Sequence, residues 1–230
     1  MKNSLLLVFL TICYWSTQAQ PTRAAYELDM LGKNGIIRSL SHGSHHFTYD
    51  DIKGSPYLHD DFAPSRILSQ DSSLYSEVPL RYNIYSDNIE FTNRNGEVME
   101  ILDPDRYQLF MVGEESFMHL SFADGNTIEK GYFQVLVSGP NQLLKRYRIS
   151  YRPAEPAKPF KDPEPPKFVH MQPDLYISVN GQPAEKITNT RKAFDLLQPV
   201  KPEIADWVKN EKLNLKKEED LIQLIQYSNQ

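Results

Sequence analysis

Cysteine is almost absent from this chain of 230 residues, and the single one, Cys13, lies in an N-terminal segment that we predict to be removed. Without Cys13 the mature chain has no thiol, so disulfides, thiolate nucleophiles and cysteine metal sites are excluded. The remaining length of about 210 residues allows one domain of ordinary size or two small ones, and without disulfides such a chain depends on its hydrophobic core for stability.

The motifs of several common enzyme classes are also missing. The sequence has no Gly-x-Ser-x-Gly nucleophile elbow, no Gly-x-x-x-x-Gly-Lys phosphate loop, no Gly-x-Gly-x-x-Gly dinucleotide motif and no His-Glu-x-x-His zinc motif. We therefore predict no cofactor. A catalytic group assembled from distant strands stays open, because such sites are recognised by geometry and not by sequence position.

The chain has fewer basic than acidic residues: 25 are lysine or arginine and 30 are aspartate or glutamate. An acidic chain of this kind is poorly suited to the phosphate backbone, so we exclude nucleic acid as a partner. The chain also has no apolar run of the roughly 20 residues that a membrane-spanning helix needs. We therefore predict no transmembrane segment after removal of the N-terminal segment.

Residues 1–19 are predicted to be a secretory signal peptide. Lys2 supplies a positive start, Leu5 to Ile12 an apolar core, and Thr17-Gln18-Ala19 a small-x-small cleavage site. We expect export to the periplasm, to the outer-membrane region or to the medium. A lipoprotein box at Leu10 to Cys13 is the alternative, although Ile12 stands where that box has a small residue.

Short β-type runs separated by turn residues dominate residues 20–152. The pattern predicts an antiparallel β-meander. Because twist accumulates from strand to strand, such a sheet curls into an open half-barrel, a barrel or a sandwich. Asn95-Gly96 and Asp124-Gly125 favour tight turns between strands. The predicted strands are Leu80–Tyr85, Asn88–Thr92, Glu97–Leu102, Tyr107–Val112, Ser116–Phe122, Tyr132–Val137 and Leu143–Tyr151.

Residues 153–173 are predicted to be a proline-rich loop with seven prolines. Because proline donates no ladder hydrogen bond and favours extended conformations, we predict no regular strand or helix there. We interpret the segment as a long stiff loop that joins two strands. A ligand for a proline-recognising groove, or a spacer between domains, is the alternative.

Residues 174–230 are predicted to hold a final strand and three short helices. Leu175–Val179 followed by Asn180-Gly181 is typical of a strand and a turn. The helices are predicted at Thr190–Leu197, from Pro202 onward, and at Lys216–Tyr227. Together these elements give an α+β fold, mostly β, with a C-terminal helical cap on or beside the sheet. A partner-binding helical module is the alternative.

Histidine and aspartate concentrate between residues 42 and 61. His42, His45 and His46 are the candidate metal ligands, followed by Asp50-Asp51 and His59-Asp60-Asp61. Imidazole and carboxylate together suit zinc or another divalent ion. The spacing matches no known metal signature, so a hydrated loop is the alternative interpretation.

The run Lys145–Arg152 is predicted to alternate basic and apolar side chains along one strand. Arg146, Arg148 and Arg152 would share one face. Such a face suits recognition of phosphate or carboxylate groups. The alternative is a surface on which arginines pair with the abundant acidic residues of the same chain.

Four segments carry a resemblance to a known group of proteins. They are Ile204–Asn229, Gly54–Leu58, Leu80–Asn83 and Gly131–Leu136. With them the chain resembles a family of secreted or envelope proteins of Bacteroidota-type bacteria that has no assigned activity. The resemblance covers nearly all of the mature chain and implies export and a common fold. It implies no catalytic residue and no substrate.

These patterns predict a non-enzymatic envelope protein that binds a partner protein, a lipid or a wall component. A curved β-surface rich in tyrosine and phenylalanine supports that function. A hydrolase or metal-dependent enzyme with a site near residues 42–61 is the first alternative. The second is an accessory of a membrane machine that assembles through its C-terminal helices.

Overall fold

The computed structural model of the protein describes residues 23–24, 37–39, 49, 52–157 and 159–230. The predicted signal peptide, the alternative lipoprotein box and the candidate metal ligands His42, His45 and His46 lie outside the described residues, as do Asp50 and Asp51.

Fourteen strands are formed by the described residues. They are β1 (Arg23–Ala24), β2 (Ile37–Ser39), β3 (Ala63–Ser69), β4 (Leu74–Asn83), β5 (Asn88–Thr92), β6 (Val98–Ile101), β7 (Tyr107–Val112), β8 (Glu115–Asp124), β9 (Thr127–Val137), β10 (Asn141–Arg146), β11 (Ile149–Arg152), β12 (Lys167–His170), β13 (Asp174–Val179) and β14 (Glu185–Lys186).

Three α-helices follow the last strand: α1 (Thr190–Leu197), α2 (Ile204–Asn210) and α3 (Glu218–Ser228). Asn189 caps α1, because its side chain accepts a hydrogen bond from the backbone N–H of Lys192 at 2.9 Å. Three acidic residues in the first turn of α3 complement the positive end of the helix dipole. A short 3₁₀ turn, Pro104–Arg106, connects β6 to β7.

Most strands belong to one curled sheet. Its order is β14-β13-β10-β9-β8-β7-β3-β4-β5-β6-β2, with β1 joined parallel to β4. Chain neighbours pair antiparallel from β7 to β10 and from β3 to β6, as short turns require. The predicted mostly β meander with a C-terminal helical cap is confirmed, and the sheet has the half-barrel form.

The proline-rich segment contains a strand, so the prediction that no regular strand occurs in residues 153–173 is wrong. Strand β12 follows Pro166 and pairs antiparallel with β11 in a separate two-stranded sheet. Residues 167–172 contain no proline, and their backbone N–H groups are therefore free to form a ladder. The six prolines between residues 153 and 166 lie in the connection from β11 to β12, and Pro173 lies between β12 and β13.

One large core cluster fills the space between β3 and β9. Its members are mostly aliphatic and aromatic side chains of alternating strand positions, such as Leu80, Phe91, Phe110 and Phe117, each of which is fully buried. Burial of side chains of this size contributes roughly 1.5–3 kcal/mol each to stability before conformational entropy is subtracted.

The helices form a second core with the ends of β9, β10 and β13. Leu221, Leu224 and Ile225 of α3 are at most 2% exposed and pack in one cluster with Leu143. Trp207 of α2 stacks on Tyr227 of α3 with the ring centroids 4.1 Å apart. The helices are therefore an integral cap of the sheet.

The end of the sheet that contains β13 curls back on β8. Ala184, just before β14, forms a parallel bridge with Phe122. A small core of Phe122, Phe133, Leu144 and Tyr176 lies inside this curl together with Ala184. Each of the contributing strands supplies an inward side chain, which explains the aromatic richness of this part of the sequence.

Candidate functional site

The segment Ile52–Phe62, which we name the strap, runs along the sheet and is fastened at two points. At its start, the N–H of Lys53 donates to Pro166 O at 2.9 Å, and the N–H of Phe168 donates to Lys53 O at 2.8 Å. Further along, Tyr57 forms an antiparallel bridge with Asn83 of β4. The strap therefore links β12 to β4.

Gly54 makes the first fastening possible. Its φ is +82°, and a Cβ atom placed on it would lie 2.8 Å from the carbonyl oxygen of Phe168. Only glycine tolerates both this backbone conformation and this close approach. The segment Gly54–Leu58 therefore requires glycine at its first position.

Arg81 of β4 holds the second half of the strap. Its guanidinium carbon lies 3.6 Å from the ring centroid of Tyr57 and 4.3 Å from that of Phe62. It donates from Nη2 to the Tyr57 hydroxyl at 2.7 Å and from Nη1 to the Asp60 carbonyl oxygen at 3.1 Å. One side chain therefore fixes three residues of the strap.

A buried carboxylate balances Arg81. Glu90 of β5 is 1% exposed, lies opposite Arg81 in the strand register, and accepts from Arg81 Nε at 2.8 Å. Asn83 Nδ2 donates to its other oxygen at 2.9 Å. Burial raises the pKa of Tyr57 to about 12, and the Glu90 carboxylate adds to that rise. Tyr57 therefore remains a neutral hydrogen-bond partner of Arg81.

The same row of charges continues across the sheet. Glu100 of β6 lies opposite Glu90, and Arg38 of β2 lies opposite Glu100 in the register. Arg81 and Glu90 are the neighbours of opposite charge in this row, whereas Glu90 and Glu100 carry like charge on adjacent strands.

A groove of about 340 Å³ lies between the strap, β4 and the β7–β8 turn. Leu58, Phe62, Ala63 and Val112 give it apolar walls. Its charged lining is mainly acidic: Asp61, Glu114 and Glu115 lie there, whereas the charge of Arg81 is already balanced by Glu90. The volume lies in the range of ligand pockets, and the acidic lining favours a cationic group.

His59 stands at the edge of this groove. Its Nε2 lies 3.0 Å from Glu115 Oε1, and its side chain is 62% exposed. The pair joins the strap to the start of β8.

The structure brings together only part of the predicted histidine and aspartate cluster. His59 and Asp61 line the groove, and Asp60 contacts Arg81 through its carbonyl oxygen. Among the described residues, no group of three or more histidine, cysteine, aspartate or glutamate side chains is arranged to hold a metal ion. The proposed ligands His42, His45 and His46 stay a prediction.

The arginine face divides between two strands. The predicted strand Leu143–Tyr151 breaks at Tyr147-Arg148, between β10 and β11. Arg146 pairs with Asp87 at 3.0 Å and lies 4.2 Å above the Phe122 ring, while Arg148 pairs with Asp174 at 2.8 Å. These arginines contact acidic residues of the same chain, as the second interpretation proposed.

Sequence reasoning missed Arg81 and Glu90 as site residues. The signal that was available is the alternation in Leu80-Arg81-Tyr82-Asn83, where charged and polar residues interrupt apolar ones. Alternation predicts that Arg81 and Asn83 share a face. It does not give the partner on β5, because that depends on the register between strands.

Comparison with known proteins gave no relative. No family model, no curated protein and no solved structure matches the chain. The resemblance to a family of Bacteroidota-type envelope proteins therefore stays a prediction. In the part of the chain that the structure describes, no helix is long and apolar enough to cross a membrane.

Proposed function

We propose that this chain is an exported, non-enzymatic binding module whose groove accepts an apolar side chain flanked by positive charge, presented by a partner protein. The observation that carries the proposal is the groove itself. Its apolar walls are bordered by Asp61, Glu114 and Glu115. Apolar area with charge of one sign at its border is the arrangement by which protein surfaces select a partner of opposite charge.

The way the groove is built supports a binding role. The strap forms one wall, and Arg81 fixes it through hydrogen bonds to Tyr57 and Asp60. A wall held in this way is ordered before the ligand arrives, which reduces the conformational entropy lost on binding. The acidic lining also disfavours anionic lipid headgroups, so a protein partner fits better than an anionic membrane surface.

Export is proposed from the N-terminal sequence. A positive start, a short apolar core and a small-x-small cleavage site characterise secretory signal peptides. The family resemblance also supports a place in the bacterial envelope. Fractionation of the native host, with an antibody against the mature chain, tests this part of the proposal: recovery of the uncleaved chain from the cytoplasm would contradict it.

The binding proposal is tested with short peptides and the mature chain by isothermal titration calorimetry. Acetyl-Lys-Phe-Lys-amide is expected to bind at least about tenfold more tightly than acetyl-Glu-Phe-Glu-amide, because the second peptide brings negative charge to an acidic groove. Acetyl-Lys-Gly-Lys-amide tests the apolar contribution and is expected to bind more weakly than the phenylalanine peptide.

Two variants test whether the peptides bind in the groove. Ala63→Phe fills the apolar space and is expected to abolish binding of both phenylalanine peptides. Glu115→Lys reverses one charge of the border and is expected to reduce the preference for the basic peptide, with Asp61 and Glu114 still in place. Glu129→Lys, on an exposed position of β9, is the matched charge control and should leave the affinity unchanged. Equal affinity for all three peptides, or binding that survives Ala63→Phe, would reject the groove as the binding site.

A further inference from the structure

Phe160 is the most exposed large apolar side chain among the described residues. Its exposed fraction is 109% of the reference value for phenylalanine, so its ring packs against nothing else in the described part of the chain. The residue lies in the connection from β11 to β12, within residues 159–161, which we name the hook. Exposure of a phenylalanine ring to water is unfavourable, and buried aromatic side chains anchor many protein interfaces. The hook is therefore a candidate contact surface.

The connection that carries the hook is held together at its base. Glu155 and Glu164 form an antiparallel bridge, in which each N–H donates to the other carbonyl oxygen, at 2.9 and 3.0 Å. Lys161 Nζ lies 3.0 Å from a carboxylate oxygen of each of these glutamates. Six prolines between residues 153 and 166 restrict the backbone further. The hook is therefore ordered before a partner arrives, which reduces the conformational entropy lost on binding.

The backbone of Phe160 has an unusual conformation for a bulky residue. Its φ is +65°, in the left-handed region that glycine and asparagine adopt more easily. Such a conformation costs free energy and persists only where the surrounding structure holds it. Phe160 thus adds backbone strain and no core contact to the isolated chain, and contact with another molecule would give its ring a role.

The groove beside the strap offers an apolar site for such a ring. It has a volume of about 340 Å³, and Leu58, Phe62 and Val112 belong to its apolar walls. A phenylalanine side chain that enters a site of this kind removes roughly 150–250 Å² from water. Phe160 is fully exposed, so it does not occupy the groove of its own chain. Every copy therefore carries one groove and one exposed aromatic ring.

Charge also favours contact between the hook and the groove. In the sequence, the connection from Arg152 to Lys167 has four basic and three acidic residues, a net charge of +1, whereas the whole chain has a net charge of −5. A lysine also stands on each side of Pro159-Phe160 in the sequence. The groove is bordered by the carboxylates of Asp61, Glu114 and Glu115. A segment of positive net charge is attracted to such a border.

The acidic residues of the connection are mostly balanced within it. Lys161 contacts Glu155 and Glu164 at the base, and Lys167 contacts Glu164 at 3.1 Å. Asp162, next to the hook, is the remaining acidic residue of the connection. It would face the acidic border of the groove, so its charge opposes the contact and can be used to test it.

We propose that the hook of one copy docks in the groove of a second copy, with the ring of Phe160 between the apolar walls. The proposal rests on the binding function proposed for the groove and names its partner, a second molecule of the same chain. Because the hook and the groove are different surfaces, the contact is head-to-tail. Two copies then either dock reciprocally as a dimer or continue as an open chain. One aromatic anchor on a small interface gives weak, transient association.

Sedimentation velocity of the mature chain, at concentrations up to roughly 1 mM, tests the association. The weight-average sedimentation coefficient is expected to rise with concentration. Phe160→Ser removes the anchor and Ala63→Phe fills the groove, so each variant is expected to remain monomeric. Ile128→Ser is the matched control, because Ile128 of β9 is also apolar and 61% exposed, and it should associate as the unmodified chain does. Phe160→Ser should keep the thermal midpoint, since the ring has no core contact to lose.

A mixture of the two variants identifies the surfaces in contact. Phe160→Ser keeps an open groove and lacks the anchor, whereas Ala63→Phe keeps the anchor and has a filled groove. Neither variant is expected to associate alone, and an equimolar mixture is expected to form a 1:1 complex. A complex in the mixture also shows that the Ala63→Phe chain still presents a functional hook, so its own failure to associate is not a failure to fold.

Two charge variants test the direction of the electrostatic contribution and leave the apolar contacts in place. Asp162→Lys is expected to strengthen the association by about threefold, and Glu115→Lys is expected to weaken it by a similar factor. Added salt should reduce both effects, because exposed charges are screened. Weaker association of Asp162→Lys would contradict docking of the hook at an acidic border.

Peptide titrations separate the failure of this proposal from the failure of the groove proposal. Acetyl-Lys-Pro-Phe-Lys-amide, which has the sequence of residues 158–161, is expected to bind to the Phe160→Ser chain. Binding of acetyl-Lys-Phe-Lys-amide without self-association of the unmodified chain would reject docking of the hook and keep the groove proposal. Self-association that survives Ala63→Phe, or a mixture that forms no complex, would also reject docking of the hook. Absence of both peptide binding and self-association would reject both proposals.

Discussion

Arg146 donates a hydrogen bond from Nη2 to Asp87 Oδ2 at 3.0 Å, although the two residues belong to distant parts of the sheet. Asp87 lies in the β4–β5 turn, and β10, which holds Arg146, is five strands from β4 in the sheet order. Five strand spacings would separate them by about 24 Å in a flat sheet. The contact therefore requires the sheet to curl, and it joins the two sides of the half-barrel.

Asp87→Ala is expected to lower the free energy of unfolding by about 2 kcal/mol, because the variant leaves Arg146 and the Tyr82 hydroxyl without their acceptor. Urea denaturation measures the change. Asp195→Ala is the control: its partner Arg191 is 3.9 Å away on an exposed helix surface, so a change below about 0.5 kcal/mol is expected. Equal losses in the two variants would show that the contacts of Asp87 contribute no more to the free energy of unfolding than an exposed ion pair does.

Gly131→Ala is expected to disturb the same pair from the side of β9. A Cβ atom at this position would lie 2.7 Å from Asp87 Oδ2 and 3.0 Å from Arg146 Nη2. The loss of stability should therefore be smaller when Asp87 is already alanine, and a double-mutant cycle measures that coupling. Fully additive losses would contradict the idea that Gly131 is required by the ion pair.

Truncation after Val200 is expected to abolish cooperative thermal unfolding, because it removes Leu221, Leu224 and Ile225 from the second core. Calorimetry measures the transition. The milder variant Asn229→Ala removes only the two hydrogen bonds that its side chain makes with the backbone of Asn141, at 2.9 and 2.8 Å. It should cost about 1–2 kcal/mol and keep a single transition. A truncated chain that still melts cooperatively would mean that the sheet folds without its cap.

Alkaline pH is expected to destabilise the protein. Burial raises the pKa of Tyr57 and of Tyr107 to about 12, and it raises those of Tyr82 and Tyr132 well above the usual value. Above pH 10 the unfolded chain therefore holds fewer protons than the folded one. Stability should be complete below about pH 10 and fall as the pH rises toward 12.

Absorbance at the tyrosinate band and circular dichroism, recorded along the same pH titration, check this expectation. The late-ionising tyrosines should ionise together with the loss of β-structure. Their ionisation near pH 10 in a protein that keeps its circular dichroism spectrum would contradict the assignment of these side chains to the core.

Local chemistry made part of the fold predictable. The bounds of Asn88–Thr92, Tyr107–Val112 and Thr190–Leu197 were predicted as the structure has them, because alternation, turn residues and a helix cap mark their ends. Strand β3 was missed. It contains Pro64, and its buried positions include Ser65, so neither residue type nor apolar alternation indicates a strand.

The candidate sites were less predictable for a different reason. Tyr57 and Arg81 come from a strap and a strand. Their contacts depend on strand register and on the curl of the sheet, and neither follows from residue spacing. Only His59, Asp60 and Asp61 were named beforehand as candidate site residues, because they belong to a run of titratable residues.

The backbone pairing between Ala184 and β8 protects part of the edge of β8 against aggregation at high protein concentration. The N–H of Ala123 donates to Ala184 O at 2.9 Å, and the N–H of Ala184 donates to Ser121 O at 2.8 Å. The N–H of Ala123 and the carbonyl oxygen of Ser121 are thereby occupied within the molecule and are not available to a foreign strand. We expect this edge to resist amyloid-like association, and a substitution such as Ala184→Pro, which removes one of the two donors, to create an aggregation-prone edge.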